Sequence, residues 1–593
     1  MHPVSDRCVS MALDQHRECV ALLPRVCELL AASGSGLPDD TSLEKLLDWF
    51  TQLSLAGTCL HESFPCLLEF IPAVTHNTAA DPAIICFMMK LTGLLAGTVE
   101  GFHRLQEHLT LAEVFKVQSW KETGLWDDPS VRSGWIHGLR STMQHPRALN
   151  LLLQSELMEH LLHLQTDPSL FVASSANELL AHILLFYQPE SPVTNGKAHT
   201  CEETRPTQNR SVPSTSSAEY NTAVISICDY LKQSLLPQEQ KHLQQSARLL
   251  RLVAQILSQA GGPLWVQLFE SVRGPLEDLV TAAHSQLTLP LMEVILAANS
   301  NSSQAPQRAS DLLCAMLEVR PPTERIRAAA ALTQQGFCDP VHTPKAVKIL
   351  LLPLDILTGQ SLLNSESAGE TREELQNKSS CTSIVCLCVT NLHQITLLPD
   401  DFLPCPRPVI VSTLVSLLHM CIGSSAVSSG CAGANRFIFG NGKIQKSALE
   451  ALTAINHCSG VHDKVNKVFT VLLLYLNHPD SDPVVLHKCY QAFLKWTSVC
   501  TNLSDELRQD LKQLVQKRAC DLRWEVRDST VEFLGQQAAL SHSTSDTSPN
   551  LPLLEECSTL PLLREALQDQ ESYVRASAVS ALAQTLRRGW RRG

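Results

Sequence analysis

Closely spaced histidines and acidic residues are the first side chains in this sequence whose types could hold a metal ion. Glu159, His160 and His163 would lie close together on a helix, and imidazole and carboxylate groups are zinc ligands. A second group, at a predicted turn between helices, comprises His457, Cys458 and His462. Histidines at such spacings are more often solvated or packed than bound to a metal. We therefore predict no metal at either group.

The chain has 21 cysteines, and their spacing argues against zinc ribbons and thioredoxin-like redox motifs. No Cys-x-x-Cys pair occurs, which is the spacing that those sites use. Cys381, Cys386 and Cys388 form a cluster, but their Leu, Val and Ile neighbours predict a helix core. Other cysteines, such as Cys228 and Cys314, are scattered through helical patterns. We predict reduced, buried thiols, which are typical of the cytosol and nucleus.

The usual signatures of enzymes are missing from the sequence. The segment Gly440-Asn441-Gly442-Lys443 resembles part of a phosphate-binding loop, but Phe437 occupies the first glycine position and Ile444 the Ser/Thr position. Neither a His-Glu-x-x-His motif nor a Gly-x-Ser-x-Gly motif occurs. We predict that the protein is not an enzyme and needs no cofactor.

Two similar segments near the end of the chain indicate that the protein is built from repeated helix pairs. Their corresponding residues are Asp521 and Asp569, Val526 and Val574, and Arg527 and Arg575. The offset of 48 residues, with an acidic turn followed by Val-Arg and an amphipathic stripe, is typical of HEAT-type helix pairs. One such helix cannot bury its stripe alone, so the pairs must stack. The sequence predicts an all-α, HEAT/armadillo-like α-solenoid with a surface suited to binding proteins.

The Val-Arg pairs have a structural interpretation and a functional one. In stacked repeats the arginine commonly reaches the acidic turn residue of an adjacent repeat, and we favour this over a basic functional surface. Fainter copies of the pattern include Val131-Arg132 and the segment that begins at Asp167. In a looser copy that begins at Asp480, Leu486 replaces the arginine. The basic segment 587–592 could be a nuclear address or an anion site, although an exposed, frayed end is the simpler explanation.

Composition and charge exclude several classes of partner. The chain is 44% hydrophobic but only 5% aromatic, which favours packed helices over sheets. Its formal net charge of -12 argues against a general binder of nucleic acids or anionic membranes, which need a basic surface. Charged residues interrupt any signal peptide at the start. The apolar run 83–99 contains Lys90 and two glycines, so we predict a buried helix.

Polar stretches suggest how the chain is divided. Residues 188–220 are rich in Pro, Ser, Thr and Asn, so we predict a disordered linker between helical-repeat arms at 1–187 and 221–593. Shorter polar loops are predicted near 299–310, 359–380 and 541–550. Two of these stretches contain a Ser/Thr-Gln dipeptide, at Thr207 and Ser303, which is the dipeptide recognised by ATM-like kinases. We predict Thr207 and Ser303 as candidate phosphorylation sites.

Several blocks resemble the family of the ATM activator associated with the breast cancer susceptibility protein. They run in order along the chain and include Leu-Leu-Asp-Trp-Phe and Ser-Gly-Trp-Ile, which are not generic to HEAT repeats. The blocks lie at residues 39–50, 131–146, 169–174, 378–381, 524–529 and 571–579. The resemblance implies a non-enzymatic adaptor in the DNA damage response, with the ATM kinase and the breast cancer susceptibility protein as partners.

The same resemblance implies links to cell growth, survival and apoptosis, to mitochondrial homeostasis and to the Integrator RNA-processing complex, in both nucleus and cytoplasm. Family members continue to a C-terminal tail with a cysteine that engages the Integrator endonuclease. This chain ends at Gly593, so we expect either a fragment or a shortened form, without that contact. The alternative function is a helical-repeat transport or assembly adaptor for other protein cargo. A row of Trp/Asn anchors at repeat spacing would favour it, and the sequence has none.

Overall fold

The structure is a computed structural model in which helices are joined by turns and short loops, with no strand among the residues that it describes. By contacts, the chain divides into two compact units, Met1–Ala309 and Ser310–Gly593. The structure describes residues 20–589 except 33–39, 78, 108–109, 146, 155, 189–216, 238, 240–241, 283, 301–305, 337–338, 361, 364–368, 424–431, 457–459, 461, 498–503, 541–553 and 555.

The first unit is built from helices of four to twenty-one residues. They are α1 (residues 20–31), α2 (Thr41–Leu55), α3 (Leu60–Ser63), α4 (Cys66–Thr75), α5 (Pro82–Ala96), α6 (Val99–Glu107), α7 (Thr110–Phe115), α8 (Val117–Glu122), α9 (Pro129–Thr142), α10 (Ala148–Gln154), α11 (Leu157–His163), α12 (Leu170–Phe186), α13 (Ser217–Ser234), α14 (Leu243–Gln259), α15 (Gly262–Ala282) and α16 (Thr288–Ser300).

The predicted buried helix in the apolar run forms α5, which packs closely against α9. Asp81 caps α5 by accepting a hydrogen bond of 2.9 Å from the Ala83 N–H, and proline at the next position suits a helix start. Along the contact, a Cβ atom added to Gly93 would lie 2.1 Å from the carbonyl oxygen of Gly138. Only glycine permits this approach, so Gly93 of α5 and Gly138 of α9 are both needed for the packing of these helices.

Helices on both sides of residues 189–216 pack together within the first unit. The Tyr220 hydroxyl of α13 donates to the Leu184 carbonyl of α12 at 2.8 Å, and the Gly261 N–H donates to Gln188 at 2.9 Å. The division into compact units by contacts falls between residues 309 and 310, and the linker and arms predicted around 188–220 stay predictions. Most of that linker lies outside the described residues, and α13 begins within it at Ser217.

The second unit continues the succession of helices. They are α17 (Pro306–Glu318), which begins just before the division, α18 (Pro322–Gln334), α19 (His342–Thr358), α20 (Gly369–Leu375), α21 (Lys378–Leu397), α22 (Arg407–Ile422), α23 (Ala432–Ile438), α24 (Gly442–Ala454), α25 (Val465–Asn477), α26 (Pro483–Thr497), α27 (Asp505–Ala519), α28 (Trp524–Leu540), α29 (Glu556–Ala566) and α30 (Ser572–Gly589).

The polar loop predicted at 359–380 is shorter than expected, because helix α20 and the start of α21 lie within it. Thr371 and Leu375 of α20 are buried, so this polar stretch forms a short amphipathic helix. Asn377 then caps α21 by accepting hydrogen bonds from the N–H groups at 379 and 380. Helix α17 likewise begins inside the predicted loop 299–310, whereas 541–550 lies outside the described residues.

The two similar segments form α28 and α30, which stack side by side as HEAT-type second helices do. Val526 is fully buried and Val574 is 1% exposed. A Cβ atom on Gly535 of α28 would lie 2.7 Å from both Cα and Cβ of Ala581 in α30. Because residue 535 has no side chain, α28 and α30 approach closely. Their apolar stripes, which include the two valines, are buried in the packed helices.

One described helix, α21, is long and apolar enough to cross a membrane, and half of its apolar window is buried in the protein. Helices α5 and α6 pass the same test only as a pair, and they are bent by 119° at their junction. Buried core helices of water-exposed domains also pass this test. The burial of ten residues in α5 agrees with its predicted place in a helix core.

Candidate protein-interaction site

Arg527 of α28 binds the acidic turn residue of the next repeat through two parallel hydrogen bonds. Its Nε donates to Asp569 Oδ2 at 2.7 Å, and its Nη2 donates to Oδ1 at 2.8 Å. Both side chains are largely buried, at 17% and 11% exposed. The hydrogen bond from Arg527 lowers the pKa of the Asp569 carboxyl, and the same contact raises the pKa of Arg527. This fork pairs planar groups and therefore fixes the register between repeats.

The guanidinium of Arg527 also completes the turn that precedes its own helix. Its Nη1 donates to the carbonyl oxygens of Asp521 at 2.9 Å and Leu522 at 3.2 Å. Arg575 makes the equivalent turn contacts, to the carbonyls of Asp569 and Gln570, both at 2.8 Å. Arg575 is exposed, and the described part of the chain gives it no carboxylate partner. The two Val-Arg pairs thus share a local role, and Arg527 is the one of the two that is followed by a further described repeat.

Asp521 is paired with arginines of its own repeat, since the preceding copy has a leucine at the arginine position. Arg518 donates to its carboxylate at 2.6 Å, and Arg523 does so at 3.2 Å. Arg518 reaches back to the Leu476 carbonyl at the end of α25, at 2.7 Å. Burial favours the neutral acid, but hydrogen bonds from Arg523 and Arg518 outweigh it and lower the pKa of Asp521 to about 2.

The same arrangement occurs in the first unit, between α9 and the turn before α12. Arg132 donates to Asp167 through Nε at 2.6 Å and through Nη2 at 3.2 Å, and its Nη1 donates to the Trp126 carbonyl at 2.7 Å. Asp167 in turn accepts from the Ser169 N–H at 2.8 Å, as Asp569 does from Glu571 at 2.9 Å. The fainter copies at Val131-Arg132 and Asp167 therefore form the same arginine–aspartate contact as Arg527 and Asp569.

Apolar side chains beside the Arg527 contact are exposed to solvent. Leu522 is 99% exposed and Tyr573 65%, and the Tyr573 ring stacks on Trp524 with centroids 5.3 Å apart and an angle of 24°. We call Leu522, Trp524 and Tyr573 the turn surface. Aromatic residues held rigidly beside arginines are common anchors of protein interfaces. The turn surface is the candidate protein-interaction site, and sequence analysis missed it because the rings occupy different positions in the two copies.

The predicted histidine group lines a polar cavity of about 600 Å³ beside the Arg132–Asp167 pair. His163 Nδ1 lies 2.8 Å from the Glu159 carbonyl oxygen, a hydrogen bond within its own helix. Burial and, after it, the charge of Lys121 lower the pKa of His160. Among the described residues, these side chains do not form a compact set of three ligand atoms. His457 and Cys458 lie outside the described residues.

A group that sequence analysis did not select comprises Cys59, His61 and Glu62, whose ligand atoms lie within 4.8 Å of one another. The Cys59 Sγ is 3.3 Å from Nδ1 of His61. Burial, followed by the charge of Glu62, raises the pKa of the Cys59 thiol. Zinc binds the thiolate, and all three residues belong to one short turn. The group fits a hydrogen-bonded turn better than a metal centre.

The cysteine cluster and the Gly440–Lys443 loop both have structural roles: the first lies in a helix core and the second begins a helix. Cys381 and Cys388 are buried in α21, and burial raises the pKa of the Cys388 thiol strongly. Asn441 caps α24, because its side chain accepts from the N–H groups of Lys443 at 3.2 Å and Ile444 at 3.4 Å. The loop therefore starts a helix and does not wrap around a phosphate.

The candidate phosphorylation sites Thr207 and Ser303 lie outside the described residues.

Comparison with known proteins identifies a family to which the sequence is similar. A family model described as "Integrator complex assembly factor BRAT1" matches residues 15–590. The chain belongs to the BRAT1 family. A Danio rerio relative with the same description is 38% identical over 576 residues, which cover 96% of this chain and 68% of the relative. A Mus musculus relative is 32% identical over 607 residues, which cover 96% of this chain and 70% of the relative.

The HEAT-type fold of this BRAT1-family chain is also found in karyopherins. A chain in the solved structure of Kap95p with RanGDP aligns with a TM-score of 0.50 at 9% identity, covering 96% of this chain and 67% of that chain. The likeness confirms the predicted all-α solenoid class and concerns the fold alone. The BRAT1 relatives are described as assembly factors. In this chain, the contacts between repeats form the framework that presents the turn surface.

Proposed function

We propose that the chain is a non-enzymatic scaffold that binds proteins and acts in the assembly of the Integrator complex. The observation that carries this proposal is the family match over residues 15–590. Stacked repeats supply a rigid surface, and the turn surface supplies the exposed Tyr573 ring, stacked on the half-buried Trp524 next to arginines. Such groups bind a partner with little loss of side-chain freedom.

We further propose that the chain supports ATM-type kinase signalling in the DNA damage response, with the ATM kinase and the breast cancer susceptibility protein as partners. The family blocks of the sequence support this finer role. They also support action in nucleus and cytoplasm, and roles in cell growth, survival and mitochondrial homeostasis. Phosphorylation of Thr207 or Ser303 would add nearly two negative charges in a polar stretch and alter a docking contact.

The experiment that tests the Integrator role is capture of a tagged full-length chain from cells that lack their own BRAT1-family protein. We expect Integrator subunits to be enriched with the wild type. A turn-surface variant, Leu522→Ser with Tyr573→Ser, should retain less of them. Phe171→Ser is a matched control, since Phe171 is 85% exposed in the other unit. Absence of Integrator subunits from the wild-type capture would refute the assembly role.

The same capture, performed before and after DNA damage, tests the finer role. We expect the ATM kinase and the breast cancer susceptibility protein in the captured material, with more of the kinase after damage. Phosphopeptide mapping with and without ATM inhibition adds a second measurement, at Thr207 and Ser303. Capture of Integrator subunits without either signalling partner would leave the assembly role and remove the signalling role.

A further inference from the structure

A basic groove lies between α22 and α25 in the second unit. It encloses about 410 Å³, within the range of roughly 300–1,000 Å³ of typical ligand sites. Lys467 contributes from α25 and Lys464 from the position just before it, while Ser412, Ser416 and His419 contribute from α22. These residues lie about fifty positions apart in the sequence, so only the packing of the two helices brings them together. We call this feature the lysine groove.

Among the described residues, no acidic side chain lines the lysine groove, although the whole chain has a formal net charge of -12. The described residues provide no ion-pair partner for Lys464 or Lys467, whereas other lysines in this unit, such as Lys446 and Lys488, do have one. Asp463 is adjacent in sequence but does not contribute to the lining. Lys464 is also the N-cap of α25, so the positive end of that helix dipole lies at the groove. The local field therefore favours an anion.

The hydroxyl groups of the groove differ in what they can donate. Ser412 donates to the Pro408 carbonyl at 3.0 Å, and Thr470 donates to the Asn466 carbonyl at 2.8 Å. Ser416 instead accepts a hydrogen bond of 3.2 Å from the Gln360 amide, which leaves its own proton to donate. Two ammonium groups and this hydroxyl are the donors that an oxygen-rich anion would use.

The apolar content of the groove limits the kind of ligand. Val415 is the one apolar residue in the described lining, which contains no aromatic ring. A nucleobase would have no surface on which to stack, and an acyl chain would have little apolar surface to cover. The ligand must be recognised through its charge and its oxygen atoms.

We propose that the lysine groove binds a phosphorylated serine or threonine in a segment of a partner protein. The phosphate would receive hydrogen bonds from Lys464, Lys467 and the Ser416 hydroxyl, and the peptide would lie along the cleft between the helices. A phosphate dianion accepts more of these bonds than a carboxylate does. The inference rests on the proposed scaffold function only in taking the ligand to be a protein.

The test uses the full-length chain and a fluorescent glycine-serine peptide that contains one phosphoserine. Its unphosphorylated form and a form with glutamate at the same position serve as comparison ligands. The groove variant is Lys464→Gln with Lys467→Gln. Lys443→Gln with Lys517→Gln is the matched control, because both lysines are exposed in the same unit and neither lines the groove. Circular dichroism would verify that all variants are folded.

We expect the wild type and the control to bind the phosphopeptide and the groove variant to bind about tenfold or more weakly, which corresponds to the loss of at least one charge-assisted hydrogen bond. Ser416→Ala should weaken binding to a smaller extent, and inorganic phosphate should compete. Equal binding by the groove variant and the control would overturn the proposal. So would equal affinity for the glutamate peptide, no binding by the wild type, or lysine-dependent binding of phosphatidylserine vesicles without peptide binding. Capture of Integrator subunits remains a separate test of the proposed function.

Discussion

Replacement of Arg527 by alanine should destabilise the contact between the last two repeats far more than replacement of Arg575. Arg527→Ala removes two charge-assisted hydrogen bonds to Asp569 and leaves a carboxylate that is only 11% exposed without its cation. Breaking a fully buried pair costs about 3–5 kcal/mol, and partial exposure reduces this to about 2–4 kcal/mol. Arg575→Ala removes exposed bonds to carbonyl oxygens, and we expect less than about 1 kcal/mol.

Hydrogen exchange measured on peptides of α28 and α30 is the suitable assay, because a chain with two compact units need not unfold in one step. A loss of 2–4 kcal/mol should accelerate exchange there on the order of 30- to 1,000-fold. A double-mutant cycle with Asp569→Asn isolates the pair, since asparagine can still accept the N–H of Glu571. Equal acceleration in Arg527→Ala and Arg575→Ala, or a coupling energy below about 0.5 kcal/mol, would refute our account of this contact.

Three further predictions concern the same repeats. Val574→Asp should unfold the last helix pair, because it places an unpaired charge at a position that is 1% exposed, and loss of helical circular dichroism would show this. Gly535→Val should separate α28 from α30 and lower the melting temperature, whereas the same change at Gly336, where a Cβ would meet no neighbouring atom, should be limited to backbone strain. The pKa of Asp521 is depressed from 3.8 to about 2, so its contribution to stability is complete above about pH 4 and is lost as the pH falls toward 2. Hydrogen exchange of peptides from α27 and α28 across that range should show about 2 kcal/mol of pH dependence in opening free energy that is absent in Asp521→Asn, and an unchanged profile would contradict this pKa assignment.

The sequence was sufficient for features that depend on local periodicity. The amphipathic pattern around Val526 and Val574 predicts helices and the side of each that is buried, because a single helix turn determines which residues share a face. The period of 48 residues predicts stacked repeats, because each helix pair has an apolar stripe to bury. Family membership was also contained in the order of the sequence blocks, and the family match confirms it.

Only the tertiary structure decided which distant groups meet. Arg527 and Arg575 occur in nearly identical segments, yet Arg527 reaches a carboxylate 42 residues away, whereas the contacts of Arg575 with described residues are to the carbonyls of its own turn. Arg575 lies in α30, the last described helix, whereas α28 is followed by a described repeat whose turn supplies Asp569. The lysine groove likewise exists because α22 packs beside α25, which places serines of one helix opposite lysines of the other. Contacts between repeats depend on rotations and translations of whole helices, and these follow from the packing of many side chains at once.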